Sequence, residues 1–339
     1  MENAKVLVVG AGSMGLATGY HLSLAGAEVT FLVRPHRLPE LSRPQILYSY
    51  DDNTLRTFSD YSIIDTPTRI ASERYDYIVI TLDGAALRAS AGVEVVRQIG
   101  LAAKDQHSGI VLGTIGTSLR DWFLEQSGLP GDQVTNGALG IQCYPVAAAN
   151  LPLHSPTDPK LLHQADLAYR HCWPFGFIVD QSSETVARGF AELYARSGES
   201  SCVIQTPLEF AVGITPLFAM LAACELLDWS PTTRINPASP EWELGVEATR
   251  EIQGLGIHGA VGQKARQATT AQGLVEIWRT WEQDMLPLDL QEFGRYHHGG
   301  KVNVQDRLIL QDCLAKGAAE GREMPFLTNL IARLAVISR

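Results

Sequence analysis

The sequence predicts an α/β domain followed by an all-α domain, and three observations predict it. A β-branched run at residues 6–9 feeds into a glycine-spaced turn, Gly10-Ala11-Gly12-Ser13-Met14-Gly15, and then into a helical pattern carried by Leu16, Tyr20, Leu22 and Leu24. Strand-like and helical runs alternate onward to about residue 204. Beyond that point helical apolar spacing takes over, and strand alternation nearly disappears. A chain of 339 residues suits two cores, placed here at 1–204 and 205–339.

The first element is the most specific. Glycines in the order strand, Gly-x-Gly-x-x-Gly, helix, second strand predict a Rossmann-type dinucleotide-binding turn. Gly10 lets the chain turn tightly, Gly12 lets backbone amides approach a pyrophosphate, and Gly15 lets the helix pack close to the strand. The helix N-terminus adds unpaired N–H groups and a partial positive charge. The second strand, 28–34, ends in Arg34, followed by His36 and Arg37, with no acid before Glu40. A carboxylate in that place serves the ribose of NAD, whereas guanidinium groups serve the 2′-phosphate of NADP. Arg34 and Arg37 therefore predict NADP(H).

Further buried strands are expected at 75–82 and 108–113, with a helix at 85–99 between them; this rhythm demands a parallel sheet. Thr81, Leu82, Asp83 and Gly113 stand at strand ends, where ligands bind in open α/β sheets, and complete the expected cofactor-binding set. Asp83 reads equally as a cap for the helix that follows. Residues 136–180 read as strands completing the same sheet, and 186–197 as an amphipathic helix. In the second domain helices are expected at 208–227, 241–255, 261–283 and 304–319, with Ser239 as an N-cap after a Pro-rich turn. A cleft between the two domains is the expected meeting place of substrate and nicotinamide.

Composition excludes other classes. The net charge of −10 argues against nucleic acid or an anionic membrane as partner. No apolar stretch reads as reaching the ~20 residues that span a bilayer, and the early strand leaves no room for a signal peptide. Five dispersed cysteines without a CxxC spacing predict reduced thiols, no metal site and a cytoplasmic location. The partners expected are a small-molecule carbonyl substrate and a second copy of the chain.

With these elements placed, the chain resembles the ketopantoate reductase family. The resemblance rests on Gly10–Gly15, Arg34, the strand Ile78-Val-Ile-Thr-Leu82, Ile214-Thr-Pro-Leu-Phe-Ala219, and Glu320-Gly-Arg-Glu-Met-Pro325 closing a terminal helix. It implies NADPH-dependent reduction of a carbonyl, a 2-oxo acid or a relative, with the helical domain serving substrate binding and dimerisation. The family's residues are replaced at several positions. Its lysine two residues past the threonine is Asp83, and its Asn-Gly-x-Gly is Gly113-Thr-Ile-Gly116. Its catalytic lysine falls near Pro207, with Glu209 the nearest ionisable neighbour. The asparagine of its helical-domain segment is Thr215, and its late glutamate maps to Gln305 or Asp306. An acid in place of a lysine disfavours the anion ketopantoate as substrate.

Hydride transfer to a carbonyl needs a proton or a strong hydrogen bond at the oxygen. The segment Tyr296-His297-His298-Gly299-Gly300-Lys301 offers it: a scarce lysine beside two histidines and a glycine pair that lets backbone approach a ligand. Lys301 or His298 is the expected donor, Gln305 the orienting group, and Glu209, in the register of the family's catalytic helix, a further catalytic candidate. Thr215, Gln305 and Asp306 are the expected substrate-side residues. The other readings are an imine- or opine-type reductase, for which an acid near the cofactor suits a cationic iminium, and a non-catalytic NADP-binding protein.

Overall fold

A computed structural model describes residues 3–337. The chain forms two compact units: the part up to Asn150 together with Ser155–Thr206, and Leu151–His154 together with the part from Pro207 onward. The α/β class followed by a helical part agrees with the sequence reading.

In the first unit β1 (Lys5–Val9), α1 (Ser13–Leu24) and β2 (Glu28–Leu32) follow one another as expected. A short α2 (Leu38–Leu41) then leads to β3 (Gln45–Ser49), β4 (Thr54–Phe58) and β5 (Ser62–Ile64). Next come β6 (Tyr77–Ile80), α3 (Gly84–Arg88), α4 (Ser90–Gln106), β7 (Gly109–Leu112) and α5 (Leu119–Ser127). The unit closes with β8 (Val134–Leu139), β9 (Ile141–Pro145), α6 (Pro159–Leu162), β10 (Leu167–His171), β11 (Phe177–Asp180), α7 (Glu184–Ala195) and β12 (Cys202–Gln205). The main sheet runs β12-β11-β8-β7-β6-β1-β2-β5 among the described residues. Its central strands are parallel and buried on both faces, which is why they read as unbroken apolar runs. Val9 pairs with Leu32 on one side and Ile80 on the other, so Gly10, Val33 and Thr81 leave the sheet at one edge. Strand order reverses beside β1, and that switch point opens the crevice in which ligands of such sheets bind.

The expectation that 136–180 completes a single sheet is corrected. β8 and β11 join the main sheet, β11 antiparallel to β8, but β9 and β10 pair with β3 and β4 in a second sheet, β4-β3-β10-β9. The inward side chains Leu47, Phe58, Cys143, Leu167 and Tyr169 share one core with α1 and the main sheet. Covered from both sides, α1 is apolar nearly all round; even His21 is buried, its Nδ1 2.8 Å from the Ala17 carbonyl. Leu24, expected among its apolar contacts, is exposed at the helix end. The helix expected at 85–99 is two helices, broken at Ala89.

The second unit is helical: α8 (Pro207–Ile214), α9 (Leu217–Leu226), α10 (Pro240–Gln253), α11 (Gly259–Ala268), α12 (Ala271–Met285) and α13 (Leu290–Tyr296). A π-helical turn (His297–Lys301), α14 (Asn303–Ala319) and α15 (Pro325–Ile337) complete it. Three expectations are corrected here. The run 208–227 breaks at Thr215-Pro216, and 261–283 breaks where the extended Thr270 caps α12, its Oγ accepting from the Gly273 N–H at 3.1 Å. Ser239 is the N-cap residue of α10 as expected, although its hydroxyl makes no capping bond. The helix that ends near Glu320 is followed by another, α15. A fourth correction concerns length: Pro207–Leu226 spans 20 residues at mean hydropathy 1.6, long and apolar enough to cross a membrane, with half of it buried inside the protein. Its α9 portion packs on α10 and α15, and Gly245 makes that possible, since a Cβ there would stand 2.5 Å from the Ala223 Cβ.

His258 is fully buried between α10 and α11 with neither ring nitrogen hydrogen-bonded, and burial lowers its pKa to about 4. A folded pKa below the unfolded value means stability present above pH ~6.5 and lost as pH falls through about 4. His258→Leu should therefore abolish about 2 kcal/mol of the stability that wild type loses between pH 7 and pH 5. Urea titrations at the two pH values check this; an undiminished loss in the variant would sink it.

Candidate active site

The glycine turn in the first unit separates its three glycines by what surrounds them. Gly10 takes φ +100°, a conformation L side chains rarely adopt, and its N–H donates to the Leu32 carbonyl at 2.9 Å. A Cβ on Gly15 would stand 2.0 Å from the Gly10 carbonyl oxygen, so the helix touches the strand end only as glycine. Around Gly12, the N-cap of α1, there is nothing within 4 Å of such a Cβ. No acidic residue occupies the first turn of α1. Ala11 and Ser13 are buried, and the half-buried Met14 packs on the core.

Thr81, Leu82 and Gly113 build the same edge. The Thr81 hydroxyl donates toward the carbonyls of Val9 (3.0 Å) and Gly10 (3.1 Å), stitching β6 to the turn, and Leu82 closes against Gly10. Gly113 follows β7, where a Cβ would meet the Ile80 carbonyl at 2.9 Å. Asp83 is the N-cap of α3, accepting from the Ala86 N–H at 2.8 Å. Arg34 is exposed and extended just past β2, without an ion pair among the described residues. Arg37 is held differently. Its guanidinium is bidentate on Glu40 (2.8 and 2.9 Å) and reaches the Ala11 carbonyl at 3.3 Å, so the acid absent from the strand end neutralises the second arginine instead.

In the helical unit the predicted Gly-Gly loop is no loop. Residues 297–301 widen α13 into a π turn, with the Val302 N–H donating to the His297 carbonyl at 2.8 Å. His298 Nδ1 lies 2.8 Å from Oδ2 of Asp306, and its ring is T-shaped to that of Phe218, with 6.4 Å between centroids. Asp306 is buried; burial raises its pKa, while hydrogen bonds from His298 and Gln305 oppose the rise. Gln305 thus braces the carboxyl group. Thr215, buried at the end of α8, sits one turn before Phe218, whose N–H donates to its carbonyl at 3.4 Å. Lys301 is exposed at the end of the π turn, and Glu209 is exposed on the first turn of α8.

Three neighbours were missed by the sequence reading. Asn303 donates to the His298 carbonyl (3.0 Å) and to Glu225 (3.4 Å), which pairs with Arg307 at 2.6 Å. Asn303 and Arg307 are four apart on one face of α14, the spacing that could have flagged a shared partner. His297 is a packing residue, its ring stacked on Phe293 at 5.4 Å.

Residues 6–91 match the family model described as ketopantoate reductase PanE/ApbA. No curated protein matches the chain. The solved structures similar to it include 2-dehydropantoate 2-reductase from Geobacter metallireducens GS-15, with TM-score 0.67 and 18% identity over 98% of this chain and 99% of that one. Another is a ternary complex of D-mandelate dehydrogenase with NADH and anilino(oxo)acetate, at TM-score 0.67 and 12% identity, covering 98% and 97%. A third is a probable 2-dehydropantoate 2-reductase from Bacillus subtilis, at 0.67 and 13%, covering 98% and 99%. At these identities the likeness is one of fold.

The glycines give a clean test. Gly15→Ala should destabilise the first unit by about 1–3 kcal/mol through overpacking. Gly12→Ala should leave the unfolding midpoint unchanged and weaken NADPH binding at least 10-fold, because its methyl fills space only a ligand needs. Urea unfolding and a cofactor fluorescence titration read the pair; normal binding by Gly12→Ala would remove the turn from the cofactor site.

Proposed function

We propose that this chain, whose residues 6–91 match the ketopantoate reductase family model, reduces a 2-oxo acid or related small carbonyl with NADPH. The observation that carries the cofactor assignment is Gly12. Packing accounts for Gly15 and backbone conformation for Gly10, whereas the space at Gly12, on the N-terminus of a twelve-residue helix, is required by nothing in the protein itself. Gly10 to Gly15 would hold the pyrophosphate through backbone N–H groups. Arg34, exposed and unpaired, would hold a 2′-phosphate, with Arg37 beside the turn; Thr81, Leu82, Asp83 and Gly113 would line the nicotinamide side. When bound, the cofactor supplies a hydride.

The chain's own contribution is the proton. His298 is the donor we assign, in preference to Lys301, because Asp306 fixes it. A carboxylate accepting from Nδ1–H leaves Nε2 to serve the substrate oxygen, and a buried carboxylate stabilises the imidazolium before it gives up its proton. Gln305 steadies Asp306, and Phe218, one turn after Thr215, borders the donor. Lys301 and Glu209 are exposed and are not assigned the donor's role. A homodimer and a cytoplasmic location remain part of this reading, resting on composition and on the family resemblance.

His298→Ala should lower kcat by about 10²–10⁴-fold at unchanged NADPH affinity, with Lys301→Ala closer to wild type; the reverse order would move the donor to Lys301. Arg34→Ala should weaken NADPH by about 1–3 kcal/mol and leave NADH nearly unchanged, and equal losses would refute the 2′-phosphate assignment. The overall reading is tested by NADPH oxidation against a panel of 2-oxo acids, with and without amines. Turnover only with amines identifies an imine reductase. Tight NADPH binding without any turnover identifies a non-catalytic binding protein.

A further inference from the structure

We propose that Trp229 is a positioning residue, whose indole holds the π turn in the register that joins His298 to Asp306; this rests on the reading of His298 as proton donor. The starting point is a distance that a regular helix forbids. His298 and Asp306 are eight residues apart, which in a continuous α-helix separates them by ~12 Å along the axis. Their side chains meet at 2.8 Å because the chain departs from α-geometry between them. Residues 297–301 form the π turn, and Val302 (φ −113°, ψ 12°) breaks it from α14.

Trp229 is what that departure packs on. Its indole is buried, and it lies against two glycines of the neighbouring segment. A Cβ on Gly294 would stand 2.5 Å from Cζ3, and one on Gly299 3.1 Å from Nε1. Positions five apart on an α-helix point ~140° away from each other, so one ring touches both only where the helix is widened. The glycines let the backbone come down onto the ring, and the ring fixes how far the turn is opened.

The indole is itself held. Asp228 and Trp229 both take left-handed backbone conformations, φ +50° and +49°, rare for residues with side chains. The Trp229 N–H donates to the Cys224 carbonyl at 2.7 Å, closing α9. Arg295, one residue past Gly294, binds the Asp228 carboxylate and also its backbone carbonyl at 2.7 Å. Strained corners of this kind persist where the surroundings over-determine them, and here α13 supplies the determination.

Gly300 provides the internal control. It belongs to the same turn, but the nearest atom to a Cβ there is the Arg295 carbonyl at 3.9 Å, an ordinary contact. The experiment is ¹⁵N NMR of the His298 ring in the full chain carrying Gly299→Ala, Trp229→Phe or Gly300→Ala, with kcat and KM measured on whichever carbonyl turns over. Gly299→Ala and Trp229→Phe should convert a single Nδ1–H tautomer into a mixture and lower kcat at least 10-fold with KM for NADPH unchanged. Gly300→Ala should keep the wild-type tautomer. A wild-type tautomer in both Gly299→Ala and Trp229→Phe overturns the proposal, as does an equal shift in Gly300→Ala. The NMR readout needs no turnover, so failure of the reductase reading and failure of this one are told apart.

Discussion

The contact on which the first unit depends is the approach of α1 to the end of β1, where Gly15 lies against the Gly10 carbonyl with no room for a methyl group. That approach sets the helix N-terminus at the sheet edge where β1, β2 and β6 all end. Thr81 ties β6 to the same two carbonyl positions, and the Leu32 carbonyl takes the Gly10 N–H. The turn is thus fixed from three strands. Such preorganisation would lower the cost of the cofactor binding we propose, since little backbone must be ordered on association.

The second sheet matters for the same reason. A Rossmann-type helix usually has one face on the sheet and one in water; α1 has its outer face covered by β9 and β10 and their partners. Burial on both sides holds α1 between two sheets. It also creates an acid-sensitive point, because His21 sits inside that sandwich and burial lowers its pKa to about 4. Its neutral form supports the fold above pH ~6.5, and that support is lost as pH falls through about 4.

What could be read from the sequence was local. β1, the glycine turn, Arg34 and the cap at Asp83 depend on neighbours within a few residues, and the helical character of the second half depends on periodicity alone. What could not be read was long-range. β9 and β10 carry the same alternation whichever sheet they join, and only the location of β3 and β4 decides it. The breaks at Thr215 and Thr270 lie inside continuous apolar spacing, which also concealed a 20-residue apolar run. Gly299-Gly300 read as a loop because glycine pairs usually are loops; the reason for Gly299 is an indole seventy residues earlier in the chain.

The acid that stands for the family's lysine at Asp83 takes on a different meaning once it is placed. Asp83 is engaged as a helix cap, and Asp306 is buried against His298, so neither acts as a free negative charge. Lysine keeps its proton far above neutral pH, whereas histidine exchanges one near neutrality and needs an anion to fix its tautomer. A histidine donor therefore needs a carboxylate, and one buried enough to bind the imidazole instead of water. For the donor we propose, Asp306 meets both conditions, from the position to which the family's late glutamate maps.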